Sequence, residues 1–140
     1  MSQSFQTFIN ACIHAFFTLE LNVKIYHWQT KSYARHKATD QFMLKFLPFV
    51  DQMIEVLLGI YPEVKNSLSA KLNQMPIQIR IIQESSSRKS DQDTIVKMSN
   101  ELIHYLKEFE SKGLTQTSVL NIRDSIVGEI QQMLYLFSFE

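Results

Sequence analysis

The chain has 140 residues, 45% hydrophobic and 20% charged, a length and balance suited to one soluble globular domain with one core. Its 14 basic and 14 acidic residues cancel, so no global charge draws it to nucleic acid or an anionic membrane. The lone cysteine, Cys12, excludes an internal disulfide, no basic residue precedes Lys24 to start a signal peptide, and no apolar run nears the ~18 residues of a membrane span.

Only 3 glycines and 3 prolines interrupt the chain, which favours long helices over hairpins. The first helix is expected over about residues 3–30, with Ser2 or Ser4 as its cap. Ile9, Cys12, Phe16 and Val23 share one side at 100° per residue, with Phe5, Leu19 and Tyr26 at its edges. Glu20 and His27 fall on this apolar side too. A carboxylate there needs a partner such as Lys24 or a tyrosine, or else a cation. His14 lies off the stripe and reads as structural or exposed.

Residues 31–35 read as a short connection, and a chain reversal there would set His36 beside the last turns of the first helix. The second helix is expected over about 36–60, ended by Gly59 or Pro62 and kinked at Pro48, which lacks an N–H. Phe42, Phe46, Phe49, Met53 and Val56 form one apolar face; Leu44, Leu47 and Leu58 form a nearly opposite one, shared with Asp40, Asp51 and Glu55. A helix apolar on two sides is expected to be buried on two sides, and in so short a chain the expected second cover is another subunit.

Residues 62–90 are the least regular part, with room for a short helix around 63–72. Ile77, Ile79 and Ile81 alternate with polar residues, an extended-strand signal, and residues 84–90 read as a polar loop. The third helix is expected over about 91–111, capped by Ser90 or Asp91 and stopped by Gly113, with Ile95, Met98, Leu102, Leu106 and Phe109 as its stripe. The fourth is expected over about 117–138, capped by Thr115 or Thr117, with Val119, Ile122, Ile126, Ile130, Met133 and Phe137 as its stripe. Four long helices with one long middle link give the expected fold: an all-α, ferritin-like four-helix bundle, a single domain over 1–140 with its crossover between helices 2 and 3.

The chemistry concentrates in His27, His36, Asp51 and Glu55. Imidazole nitrogen and carboxylate oxygen suit iron, zinc or manganese, and Asp51 and Glu55, at i and i+4, share one helical face. The bland alternative is hydrogen-bonding histidines at helix ends and solvated acids. Elsewhere, Glu101-Leu102-Ile103-His104 is a single Glu-x-x-His pointing away from the Leu102 stripe and reads as a solvated face. Asp124 and Glu129 suit a subunit contact as well as a ligand role. No glycine-rich phosphate loop or nucleophilic triad is present, and Cys12 on the core stripe is expected to be inert.

His27-Trp28, Lys31, His36 and the Asp51-x-x-x-Glu55 pair resemble the motif of the miniferritins, the Dps-like (DNA protection during starvation) class, over roughly residues 20–60. The run from His36 through Asp51 to Glu55 keeps that family's spacing, and Leu57-Leu58-Gly59 resembles its ending of the second helix. The wording His27 to His36 is also similar to ferritin-like proteins of phages and large DNA viruses. The resemblance implies iron binding and Fe(II) oxidation by peroxide or oxygen at a ferroxidase centre between subunits. His27 and His36 would come from one chain, and Asp51 and Glu55 from its twofold partner. It implies a homo-oligomer, at least a dimer, with a larger cage as the family's further step, in the cytoplasm or packaged in a virion. Trp28 would lie beside the centre or serve as a core or interface aromatic.

Two departures stand out. The histidine interval is about a turn shorter than in the family, with Ser32-Tyr33-Ala34 in place of its glycine-containing loop, and the basic tail for nucleic acid is missing. The competing expectation is a ferritin-like assembly or virion component without redox activity. A weaker one is a dimer held by zinc or another divalent metal.

Overall fold

The computed structural model describes residues 3–82 and 88–139. The chain is all-α: α1 (Gln3–Gln29), α2 (Tyr33–Ile60), α3 (Pro62–Asn73), α4 (Arg88–Lys107) and α5 (Thr117–Leu136), with a 3₁₀ turn at Glu110–Lys112. Among the described residues there is no strand.

The stripe residues Ile9, Cys12, Phe16 and Val23 of α1 are all buried, as are Phe42, Phe46 and Met53 of α2, Ile95 to Phe109 of the third stripe, and Val119 to Phe137 of the fourth. Their 3.6-residue spacing puts each set on one side of its helix, where burial removes apolar surface from water. Ser4 lies inside α1 rather than capping it, and Ser2 falls outside the described residues.

The first connection is shorter than expected. Ser32 is the N-cap of α2, its Oγ accepting from the Arg35 N–H at 3.2 Å, so the helix starts three residues before His36. His36 therefore sits in the first turn of α2, not ahead of it. The helix then runs on through Pro48 without a break. It ends at Tyr61, and Pro62 opens α3 at the first helical position, where a missing N–H costs nothing. The short helix expected around 63–72 is thus α3.

Farther along the chain, α4 starts by Arg88, so Ser90 and Asp91 lie in its first turn instead of capping it. Asp91 accepts the Ile82 N–H at 2.9 Å instead. Of the polar loop at 84–90, residues 84–87 fall outside the described residues. Gly113, at φ 97°, closes the third helical stretch, and Leu114 N–H returns to Phe109 C=O at 2.9 Å. The cap of α5 is Gln116, whose Nε2 donates to the Tyr61 hydroxyl at 3.0 Å.

The four long helices touch in a cycle: α1 against α2 and α4, α5 against α2 and α4, while α3 leans on α1 and α2. Tyr26 near the end of α1 meets Phe137 just past α5 (ring centroids 5.9 Å), and Arg35 at the start of α2 bonds Gln92 near the start of α4 at 2.8 Å. At the other end Phe8 of α1 meets Phe109 at 5.9 Å. Helices that touch in this cycle therefore run antiparallel, so each helix end dipole lies beside one of opposite sign. The α1–α2 corner, with both histidines, sits at the end where α4 begins and α5 finishes.

Candidate metal centre

His27 belongs to the last turn of α1 and is buried to 8% exposure, while His36 is exposed. The tight corner brings them face to face: their rings stack with centroids 3.9 Å apart and planes 18° apart. His27 Nδ1 lies 2.8 Å from Thr39 Oγ1 and 3.1 Å from the His36 carbonyl oxygen. The Thr39 hydroxyl donates to Arg35 C=O at 2.8 Å, so it offers His27 a lone pair. His36 Nδ1 in turn donates to the His27 carbonyl oxygen at 3.0 Å.

Every partner of the two Nδ1 atoms is an acceptor, so both neutral rings carry their proton on Nδ1 and keep a lone pair on Nε2. Among the described residues neither Nε2 has a hydrogen-bond partner. A ring nitrogen anchored to a carbonyl or hydroxyl, with the other one free, is how metal-ligating histidines are held. Each lone pair lies in its own ring plane, and stacked planes do not converge. The pair therefore addresses two neighbouring positions rather than chelating one ion.

Asp51 and Glu55 are exposed on α2 and have no ion pair or hydrogen bond among the described residues. Fifteen residues of helix separate His36 from Asp51, about 22 Å at the helical rise, so the carboxylates of one chain cannot reach its own histidines. Accordingly, no three metal-donor side chains cluster within the described residues of one chain. The side of α2 that carries them is open: Leu44 is 70% exposed, while Leu47 and Leu58 are half-buried. Trp28 is not a core aromatic, standing 72% exposed beside the histidine pair.

Several of the other acids and histidines have local partners. Glu20 is half-buried, its Oε2 3.8 Å from Lys24 Nζ. Glu101 pairs with Arg80 at 3.3 Å, His104 Nε2 meets Glu108 at 2.9 Å, and His14 Nε2 meets Pro76 C=O at 3.2 Å. Glu129 borders a groove between α2 and α5 beside Ala38, Leu44 and Met133.

Asp124 belongs to a cluster that sequence reasoning missed. Arg123, 7% exposed, forks onto Glu110 at 2.8 and 2.9 Å, donates to Leu106 C=O at 2.8 Å and holds Asp124 at 2.7 Å. Its hydrogen bond is the main reason the Glu110 carboxyl is lowered to about 2, and Glu110 in turn raises the guanidinium. An arginine four residues after Val119, on the edge of an apolar stripe, was the available signal. This cluster fastens the start of α5 to the end of the third helical stretch. Burial, with the Glu108 charge second, pushes the Cys12 thiol up to about 12.

A model of a family of unknown function, DUF5856, matches residues 27–137. The chain belongs to the DUF5856 family. The matched DUF5856 segment opens on His27 and takes in His36, Asp51, Glu55 and α2 through α5. Neither a curated protein nor a solved structure matches the chain. Among the described residues no helix is long and apolar enough to cross a membrane.

Proposed function

We propose that this DUF5856 chain is a ferritin-like four-helix protein that binds iron as substrate and oxidises Fe(II) at sites shared by two subunits. One observation carries the reading: His27 and His36 lock each other's Nδ1 and leave both Nε2 lone pairs uncommitted at a helix corner. The antiparallel cycle of long helices, with its one crossover between α2 and α4, supports the ferritin-like part.

In this reading the two histidines of one chain face Asp51 and Glu55 of its twofold partner. An iron ion held between them would give the two free carboxylates their counter-charge, and the contact would give the open side of α2 its cover. Each Fe(II) would give up one electron to the oxidant, so that two Fe(II) and two protons reduce one peroxide to two waters. The carboxylates favour the harder Fe(III), and the imidazoles hold the softer Fe(II).

A second reading, a ferritin-like assembly component without redox chemistry, draws on the same pair. Reciprocal bonding of His27 and His36 is also a latch that closes the α1–α2 turn.

Complementation separates the two. His36→Gln and Asp51→Ala/Glu55→Ala chains should each lose Fe(II) oxidation and bound iron alone. Mixed and reannealed, they should regain part of the activity, because a heterodimer holds one complete site. No oxidation by the unmodified protein, or full oxidation by the Asp51→Ala/Glu55→Ala chain, would refute the enzyme reading.

A further inference from the structure

Charge is sorted along the α1–α2 hairpin. Between Glu20 and Asp40 the chain carries Lys24, Lys31, Arg35 and Lys37 and no carboxylate. Between Lys45 and Lys65 it carries Asp51, Glu55 and Glu63 and no base. Within α2 this order runs against the helix dipole, which favours acids at the start and bases at the end; α2 has no acid in its first turn and no base in its last. The arrangement is thus not one that the helix gains from by itself.

The same helix carries a stripe with a centre. Tyr33, Lys37, Leu44, Asp51 and Glu55 lie on the side of α2 opposite the buried Phe46 and Met53, and all five are exposed, Tyr33 to 75% and Leu44 to 70%. Lys37 and Asp51 each stand seven residues from Leu44, and Tyr33 and Glu55 each stand eleven. Seven residues are about two turns and eleven about three, so the five share one side. Among the described residues the side chains of Tyr33, Lys37, Asp51 and Glu55 have no ion pair or hydrogen bond.

We propose that this stripe is the contact with a second copy of the chain, the two α2 helices antiparallel across a twofold axis at Leu44. Read backwards, the stripe is its own complement, which is what a twofold contact requires. In the metal-free protein Lys37 faces the partner's Asp51, the Tyr33 hydroxyl faces the partner's Glu55, and each contact occurs twice. A parallel pair would set lysine on lysine and acid on acid; the antiparallel one keeps the two Lys37 side chains about 21 Å apart along the axis.

The axis also has a knob and a hole. A groove of about 160 Å³ between α2 and α5, lined by Ala38, Phe42, Met133 and Leu136, opens beside Leu44. Leu44 of each copy enters the groove of the other, which takes an exposed aliphatic side chain out of water. The pairing rests on the shared-site reading for one step only, the approach of His36 to the partner's carboxylates. One residue before Lys37, His36 comes within a helical turn of the height of the partner's Asp51 and Glu55.

The test is association of the full chain in a metal chelator, followed by sedimentation across a concentration series, so that iron plays no part. Leu44→Glu puts two carboxylates on the axis and should weaken dimerisation more than about tenfold with helix content unchanged. Lys37→Glu and Asp51→Lys should each weaken it, and the double variant Lys37→Glu/Asp51→Lys should restore it, because the swapped charges still face each other. In a Cys12→Ser background, oxidised Leu44→Cys should give a cross-linked dimer and Ser69→Cys on α3 should not. Helices packed 8–10 Å apart bring facing Cα atoms to roughly 4–5 Å, within disulfide reach. A monomer at every concentration, an unchanged dimer constant in Leu44→Glu, no rescue in the double variant, or no cross-link through Leu44→Cys overturns the pairing. If a charge variant fails to fold, the cross-link decides. A dimer that passes these tests but oxidises no iron supports the pairing and overturns the iron reading alone. Full iron oxidation by a monomeric Leu44→Glu chain supports the pairing and overturns the shared site.

Discussion

His27 and His36 each hand their Nδ1 proton toward the other's carbonyl oxygen, at 3.1 and 3.0 Å, across a three-residue corner. The two bonds look alike but differ in setting. His27 is buried and also reaches Thr39, whereas the His36 ring faces solvent.

Substitution should expose that asymmetry. His27→Ala takes a donor from the buried Thr39 hydroxyl oxygen, empties a buried site and opens the corner, and should cost about 2–3 kcal/mol; His36→Ala should cost only about 0.5–1 kcal/mol. Urea unfolding of both variants measures the difference. Both should nevertheless lose iron oxidation. Equal stability costs would mean that the buried Thr39 contact contributes nothing.

The Arg123–Glu110 fork predicts an acid limb in stability. Glu110's folded value, about 2, lies below its ordinary 4.5, so its contribution is complete above about pH 4.5 and is lost as pH falls toward 2. The melting temperature of the native chain should therefore drop more steeply over that interval than that of Glu110→Gln. Parallel curves would show that the fork stabilises nothing. Arg123→Met, which also takes from the Leu106 carbonyl its shorter hydrogen bond, should cost about 1–3 kcal/mol at neutral pH.

Cys12 should be chemically silent while the chain is folded. Burial holds its thiol near 12, so little thiolate exists at neutral pH. Alkylation at about pH 8 should run at least a thousandfold slower than in urea, where the ordinary thiol value returns. Mass spectrometry of iodoacetamide-treated native protein checks this. Rapid native labelling would place Cys12 outside the core.

Much of the helical frame was legible before any coordinates. A stripe such as Ile9, Cys12, Phe16 and Val23 is written locally, at the period of the helix itself, and all four are buried. The helix starts were less legible. Ser32 rather than a residue next to His36 caps α2, because a cap is chosen by which hydroxyl can reach a free N–H once the chain has turned.

The sequence by itself determined which residues bring metal-binding atoms, and that the first corner must be short. Only the tertiary structure decided that His27 and His36 fix each other's tautomer, that Asp51 and Glu55 of the same chain stay out of reach, and that the Asn22 side chain holds the Gln78 carbonyl and the Arg80 N–H. The physical reason is the range of the contacts. Helix periodicity joins residues three or four apart, so it can be read along the chain. A hydrogen bond between Asn22 and Arg80, or the stacking of two rings across a turn, exists only once the chain has folded back on itself.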